Sequence, residues 1–284
     1  METINRAFAE LTASRNENVE AQRAWTRFCE AITMRVSRKA PAHYRLLFEL
    51  VGASGDRKTF RILDHGCGSG RTVLILRALG YSGAQGIDLQ HAPIGDKWNA
   101  WLPQEAVGSV QPFLTYDGKR LPFADAALDL IFSQQVIEHL PPTVFETYFS
   151  EEGRVLKPGG HCYHQAPHRL SPYDSHSDTW FIHWLPRAIQ LRLYSAFGCK
   201  TEWLNEHLHL RMPHVIKEMI AKHIGPCMDR TMERVADSSM LYGYDGTVVL
   251  RRIISRLGAF PAMSGVLATF LMREFVAQAR PDRD

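Results

Sequence analysis

Ile62-Leu63-Asp64-His65-Gly66-Cys67-Gly68-Ser69-Gly70 runs directly into Arg71-Thr72-Val73-Leu74-Ile75-Leu76-Arg77-Ala78-Leu79. This stretch decides the fold. An apolar pair ends on an acidic residue, three glycines fall within five positions, and a helix-forming segment follows. A strand, a glycine-rich turn and a helix N-terminus together let a ligand lie against bare backbone. Glycine makes that approach feasible because it reaches positive φ and carries no Cβ. The glycine pattern by itself is shared by doubly wound folds that bind NAD, FAD or other nucleotides.

A second acid narrows the choice. Gly86-Ile87-Asp88-Leu89 closes the next expected strand, and Asp88 lies 18 residues after Gly70. A carboxylate there accepts hydrogen bonds from the two ribose hydroxyls of an adenosine ligand, at the spacing of roughly 20 residues that the dinucleotide fingerprint shows. Gly68-Ser69-Gly70-Arg71 lacks the Lys-Ser/Thr ending of a phosphate-binding loop, and Asp64 precedes the glycines rather than standing among them. Two further segments follow in order. One is Tyr116-Asp117-Gly118-Lys119-Arg120-Leu121-Pro122-Phe123, then Leu128 to Leu140 with Gln134-Gln135 and Glu138-His139; the other is Gly153-Arg154-Val155-Leu156-Lys157-Pro158-Gly159-Gly160.

On these four motifs the chain resembles the class I S-adenosylmethionine (SAM)-dependent methyltransferases over about residues 60–167. The fit is to the branch that includes ubiquinone, menaquinone, biotin-pathway and many natural-product methyltransferases. The resemblance implies SAM as cofactor, S-adenosylhomocysteine as product and a small-molecule acceptor. It implies that Asp64 meets the amino group or organises the turn, and that Gly66, Cys67, Gly68 and Gly70 pass the methionine part. Asp88 and Leu89 would hold the ribose side, Asp117 and Gly118 the adenine side, with Gln134 and Gln135 completing the cofactor set. The implied reaction is methyl transfer to a hydroxyl oxygen. The alternatives are a small-molecule N-methyltransferase and a non-catalytic SAM-binding protein of the same fold.

The implied architecture is α/β: a Rossmann-like, doubly wound, mainly parallel seven-stranded sheet with an N-terminal helical cap and a C-terminal insertion or lid. The boundaries expected are 1–55 for the cap, 56–199 for the SAM-binding core, and 200–284 for the lid and closing strands. In the N-terminal part, Ala24, Trp25, Phe28, Ala31, Ile32 and Val36 recur at helical spacing, and a second apolar run follows Tyr44. The pattern predicts two or three helices within residues 1–50, Val19 to Val36 being one, and a polar linker over Gly52–Lys58. Strands are expected at Arg61–Asp64, Gln85–Asp88, Gln111–Thr115, Leu128–Ser133 and His161–Gln165. Helices are expected at Arg71–Leu79, Asp96–Trp101 and Pro142–Arg154. Alternation of this kind argues for a parallel sheet covered on both faces, with ligands outside the carboxyl ends of its strands. Later elements are a helix opened by Pro186, a helix at His214–His223, a short strand near Cys227–Met232, a helix at Gly246–Leu257 and a closing strand at Gly265–Phe275.

The 284 residues allow one α/β domain with additions, at 45% hydrophobic and 22% charged, as in ordinary globular enzymes. A net charge of +3 without a basic stripe argues against nucleic acid as partner. Five cysteines without paired spacing fit free thiols in a reducing cytoplasm, and no apolar run has signal or membrane-span length. The expectation is a cytoplasmic enzyme, compatible with a homodimer.

Eight of the thirteen histidines lie between His161 and His214. A neutral imidazole is the natural base near neutral pH. The base candidates are His139, after the fourth strand, and His168 and His176, in the loop after the fifth. The same loop and the aromatic run behind it offer His164, Tyr173, Trp180, His183 and Trp184 as acceptor-binding residues. No metal is expected. His161 and His164 point to opposite faces of a strand, and His207 with His209 lacks a third ligand.

Overall fold

The computed structural model describes residues 2–17, 20–38, 42–52, 56–89, 94–174, 176–199, 201–235, 237, 241 and 248–281. Three N-terminal helices, α1 (Glu2–Asn16), α2 (Ala21–Arg38) and α3 (Arg45–Gly52), precede the first strand. Val19 and residues 53–55 of the expected linker lie outside the described residues. Then β1 (Ile62–His65), α4 (Arg71–Ala78), β2 (Ala84–Leu89), α5 (Ile94–Trp101), α6 (Gln104–Val107), β3 (Phe113–Tyr116) and β4 (Leu128–Gln134) follow in alternation. Next come α7 (Pro142–Val155), β5 (Leu156–Ala166), a two-residue hairpin pair β6 (Tyr173–Asp174) and β7 (Thr179–Trp180), and α8 (Arg187–Ala196). The chain continues through α9 (Thr201–His207), α10 (Pro213–His223), β8 (Cys227–Asp229), α11 (Val248–Gly258), α12 (Pro261–Ala268) and β9 (Arg273–Gln278).

Seven strands form one sheet in the order β3-β2-β1-β4-β5-β9-β8. β1 pairs in parallel with β2 and with β4, β2 pairs in parallel with β3, and β8 runs antiparallel to β9. All four residues of β1 are buried, as a strand covered on both faces requires. The chain divides into two compact units. One is Met1–Ser133 with Glu151–His161, the other Gln134–Ser150 with Cys162–Arg280, so β5 contributes to both. Among the described residues no helix is long and apolar enough to cross a membrane.

Several boundaries differ from the sequence expectation. The closing strand is β9, and most of Gly265–Phe275 is instead the end of α12 and the turn behind it. Pro261 occupies the first turn of α12, where its fixed φ suits a helix and its missing N–H is no loss. The apolar run itself cannot distinguish helix from strand. β5 begins at Leu156 rather than His161 and takes in Lys157–Gly160, with Gly159 at φ 76°. The first residues of the helix expected from Gly246 lie outside the described residues, and α11 begins at Val248.

Within the first unit, α1 packs on α2 and α2 on α4. Asn5 accepts from Arg71 Nη1 at 3.1 Å, Phe8 lies 6.0 Å from Trp98, and the Arg15 guanidinium sits 4.2 Å over the Trp98 ring. Trp98 in turn donates to the Ser69 carbonyl. The helical cap is thereby joined to the glycine loop through side chains of its own unit.

Candidate active site

The glycine loop is built by backbone conformation. Gly66, Gly68 and Gly70 have φ of 91°, 50° and 78°. Gly66 and Cys67 both donate to the Ile87 carbonyl, at 2.8 and 3.1 Å, which ties the loop to the end of β2. A Cβ on Gly70 would fall 2.6 Å from the Phe113 ring, and one on Gly86 would fall 2.7 Å from Cys67 Cβ. A Cβ on Gly68 would meet nothing within 4 Å. Gly70 and Gly86 are therefore glycines for packing, whereas Gly68 is a bare turn beside open space.

Asp88 faces that turn. Its Oδ2 accepts from the Gly68 N–H at 2.8 Å and its Oδ1 from the Leu89 N–H at 2.8 Å. A carboxylate offers about four lone-pair sites, so each oxygen keeps capacity for a ribose hydroxyl. Asp64 is buried, and burial followed by the charge of Asp88 raises its carboxyl well above the usual range. Leu89 and Gly118 approach each other, since a Cβ on Gly118 would lie 3.1 Å from Leu89 Cδ2. Asp117 uses Oδ1 to accept from the Lys119 and Arg120 N–H groups, at 2.9 and 3.4 Å, and so shapes its own turn. These bonds hold its carboxyl below the usual range. Cys67 is a half-buried thiol whose pKa burial pushes up, so it is no nucleophile.

Sequence reasoning missed a buried chain in this unit. His65, inside the glycine motif, bonds Glu152 Oε1 through Nδ1 and Tyr116 through Nε2, both at 2.8 Å. Nothing at the sequence level pairs His65 with a helix residue so far along the chain.

In the second unit, Gln135 follows β4 at φ 59°, unusual for a residue with a Cβ, and its N–H donates to the Gln165 carbonyl at 2.8 Å. The turn that follows, Ile137–His139, carries Glu138 and His139. His209 N–H donates to the Glu138 carbonyl at 2.7 Å, and the Arg211 guanidinium grips the Ile137 and Leu140 carbonyls. Arg211 also lies 3.8 Å over the Phe145 ring.

His139 and His176 come together, ring centroids 4.9 Å apart and nearly perpendicular, with Trp203 stacked on His176. His139 Nδ1 bonds the His207 carbonyl at 2.8 Å, and His176 Nδ1 bonds Asp174 Oδ1 at 3.0 Å. Asp174 is buried and is held by Ser177 as well, Oγ to Oδ2 at 2.6 Å. Burial works against its charge, yet the bonds from His176 and Ser177 outweigh it and keep its carboxyl below the usual range. Burial likewise opposes protonation of His176, and Asp174 outweighs that burial, so the imidazole pKa is raised. Burial lowers His139. Glu138, 1% exposed, has no hydrogen-bond partner on either carboxylate oxygen, and burial pushes its carboxyl up to about 8.

The other proposed base, His168, is fully committed. Its Nε2 bonds the Leu271 carbonyl at 2.8 Å and its Nδ1 accepts from the Leu170 N–H at 3.1 Å. Both ring nitrogens are used, which leaves no lone pair for an acceptor proton. Burial lowers its pKa to about 4. The unfolded chain, with an imidazole pKa near 6.5, takes up a proton between about pH 6.5 and 4 that the folded chain refuses, so folding stability falls as pH drops through that window. The stability advantage of the parent over His168→Gln is expected to shrink by roughly 3 kcal/mol from pH 7 to pH 4. Urea unfolding of both proteins across that range checks this, and a constant difference contradicts it.

His164 packs edge-on to Phe149, ring centroids 5.6 Å apart, and is not among the residues lining the cavity described next. Tyr173, Trp180, His183 and Trp184 do line it, together with His168, Asp174 and a wall of Leu250, Ile254, Leu267 and Phe270. The cavity is predominantly apolar and measures about 360 Å³. His183 Nε2 and Trp184 Nε1 share the Ser171 carbonyl, at 2.6 and 3.2 Å, which fixes both rings. Asp174 both lines this cavity and orients His176, so cavity and histidine pair meet at one carboxylate.

Residues 63–164 match the family described as "Methyltransferase domain". The matched segment, residues 63–164, thus resembles a methyltransferase domain. The chain is 30% identical over 115 residues, 40% of its length, to a probable tocopherol O-methyltransferase, chloroplastic, of Oryza sativa subsp. japonica, and that match spans only 31% of the relative. Among solved structures, an S-adenosylmethionine dependent methyltransferase from Mesorhizobium loti superposes with a TM-score of 0.50 at 18% identity, covering 84% of this chain and 98% of that one. Geranyl diphosphate C-methyltransferase from Streptomyces coelicolor A3(2) gives 0.49 at 15% identity, covering 89% and 82%. The likeness to the Mesorhizobium protein shows the fold.

Proposed function

We propose that the chain is an enzyme that transfers a methyl group from SAM to a hydroxyl oxygen of a small, largely apolar acceptor. Bound SAM supplies a methyl group already activated by its sulfonium and leaves as S-adenosylhomocysteine. Asp88 receives the ribose hydroxyls from a position fixed by the Gly68 and Leu89 N–H groups. Gly66, Cys67, Gly68 and Gly70 pass the methionine part, Asp64 meets its amino group, Asp117 and Gly118 border the adenine, and Gln134 and Gln135 complete the set. The N-terminal helices, anchored through Asn5, Phe8 and Arg15, shield the loop from water.

The observation that carries the acceptor reading is the meeting of an apolar cavity with the His139–His176 pair at Asp174. The aromatic wall binds and orients the acceptor's apolar body, and the pair prepares its hydroxyl for transfer. The likeness to the rice relative, a probable tocopherol O-methyltransferase, supports an oxygen acceptor. The test is transfer of labelled methyl from SAM to a panel of apolar alcohols, phenols and amines. Label on oxygen is expected. Label on nitrogen alone would move the acceptor class to amines, and binding of SAM without transfer to any acceptor would contradict the enzymatic reading.

A further inference from the structure

Among the described residues, Glu138, His139 and His176 each offer one ligand atom, and these three atoms lie within 4.8 Å of one another. We propose that these three side chains bind a divalent transition-metal ion of the zinc, cobalt or iron(II) type. This rests on the acceptor reading above in one respect: the histidine pair remains the place where the acceptor hydroxyl is prepared.

Three observations carry it. The first is the state of Glu138. Its carboxylate is buried and both oxygens lack a hydrogen-bond partner. An isolated buried charge is expensive unless it is paired or coordinates a metal. The second is the orientation of the histidines. Each is bonded through Nδ1, one to a backbone carbonyl and one to a carboxylate. That is how ligating histidines are held by their surroundings, and it leaves Nε2 of each ring as the lone-pair donor. The third is the donor set. Two imidazoles and one carboxylate suit zinc, iron and their neighbours rather than calcium or magnesium, and three protein ligands leave positions open for substrate.

Bonds of about 2.0–2.2 Å require ligand atoms roughly 3–3.5 Å apart, a spacing that atoms within 4.8 Å of one another reach by small side-chain movements. Trp203, stacked on His176 and 6.1 Å from His139, backs both rings against that movement. An acceptor hydroxyl in an open position then has its pKa lowered by the ion, and its proton passes to solvent as the oxygen is methylated. His207 and His209 stand outside this cluster. The structure spends the His207 carbonyl on His139 and bonds His209 Nε2 to the Glu206 carbonyl.

The test uses full-length protein stripped with a chelator and titrated with Co²⁺, read by calorimetry and by visible ligand-field absorption. One equivalent is expected to bind. Glu138→Gln, His139→Ala and His176→Ala should each weaken binding at least tenfold, and Asp174→Asn about ten- to a hundredfold through the misoriented His176. His214→Ala, outside the cluster, should bind Co²⁺ as the parent does. Glu138→Gln is near-isosteric, and a parental melting curve shows that it folds. Parental Co²⁺ affinity in Glu138→Gln, or no stoichiometric binding by the parent, overturns the site. Full methyl transfer by stripped protein, unchanged by added Zn²⁺ or Co²⁺, removes the ion from the reaction and leaves the methyltransferase reading standing. Stoichiometric Co²⁺ binding without transfer to any acceptor would do the reverse.

Discussion

Replacing His139 or His176 with alanine is expected to cut methyl-transfer turnover about a hundredfold or more while SAM affinity stays within about twofold of the parent. Both rings belong to the second unit and the glycine loop proposed to hold the cofactor belongs to the first, so cofactor binding is not expected to sense their loss. Each imidazole is positioned by its Nδ1, His139 on the His207 carbonyl and His176 on Asp174, and is backed by Trp203. Alanine removes a group proposed to prepare the acceptor hydroxyl, so the deficit should fall on kcat more than on the KM for SAM. Single-turnover kinetics with saturating SAM separates the two. His168→Ala should behave differently. Its nitrogens serve the Leu271 carbonyl and the Leu170 N–H, so stability should suffer before chemistry does. Near-parental turnover in both His139→Ala and His176→Ala would leave positioning alone as the source of rate, as suits an amine acceptor that needs no deprotonation.

Arg77→Met is expected to lower stability by about 3–5 kcal/mol. The Arg77 side chain is 6% exposed and donates to four backbone carbonyls: Ala84 at 2.8 Å, Ala106 at 2.7 Å, Val107 at 2.9 Å and Val110 at 3.0 Å. One guanidinium on α4 therefore ties β2 to α6 and the segment leading into β3. Burial lowers its pKa to about 10, still well above neutrality. Methionine keeps most of the volume but supplies no donor, so carbonyls that have lost their solvent also lose their partner. Chemical denaturation measures the loss. A change under about 1 kcal/mol would mean that water replaces the guanidinium at all four carbonyls.

The glycine loop and the strand ends around it were legible in the sequence because backbone geometry constrains residue type there. Gly68 at positive φ beside open space, Gly86 against Cys67, and Asp88 at the end of β2 each leave few choices, so the residues themselves announce the turn. Buried parallel strands likewise show as short apolar runs. The cap was visible from its helical spacing, although its anchoring through Asn5 and Arg15 was not. The second unit was harder to read. His139 and His176 could be nominated singly, but their meeting depends on the hairpin of β6 and β7. The burial of Asp174 and Glu138 is not legible in the sequence, because an acid in a loop or beside a strand end carries no mark of burial. An arginine such as Arg77, in the last turn of a helix, reads as a surface residue until its carbonyl partners are seen. The apolar segment at 261–275 offered no periodicity that separates helix from strand, and only Pro261 hinted at the outcome.

The most direct measurement is a calorimetric titration of the purified chain, and of its Asp88→Ala form, with SAM. Two backbone N–H bonds fix Asp88 in place, and the charge-assisted bonds to ribose hydroxyls proposed for it would contribute roughly 1.5–3 kcal/mol. One-site binding by the parent is expected, weakened about ten- to a hundredfold in Asp88→Ala. No binding by the parent, or equal affinity in the two proteins, would contradict the assignment of this loop and this carboxylate to SAM.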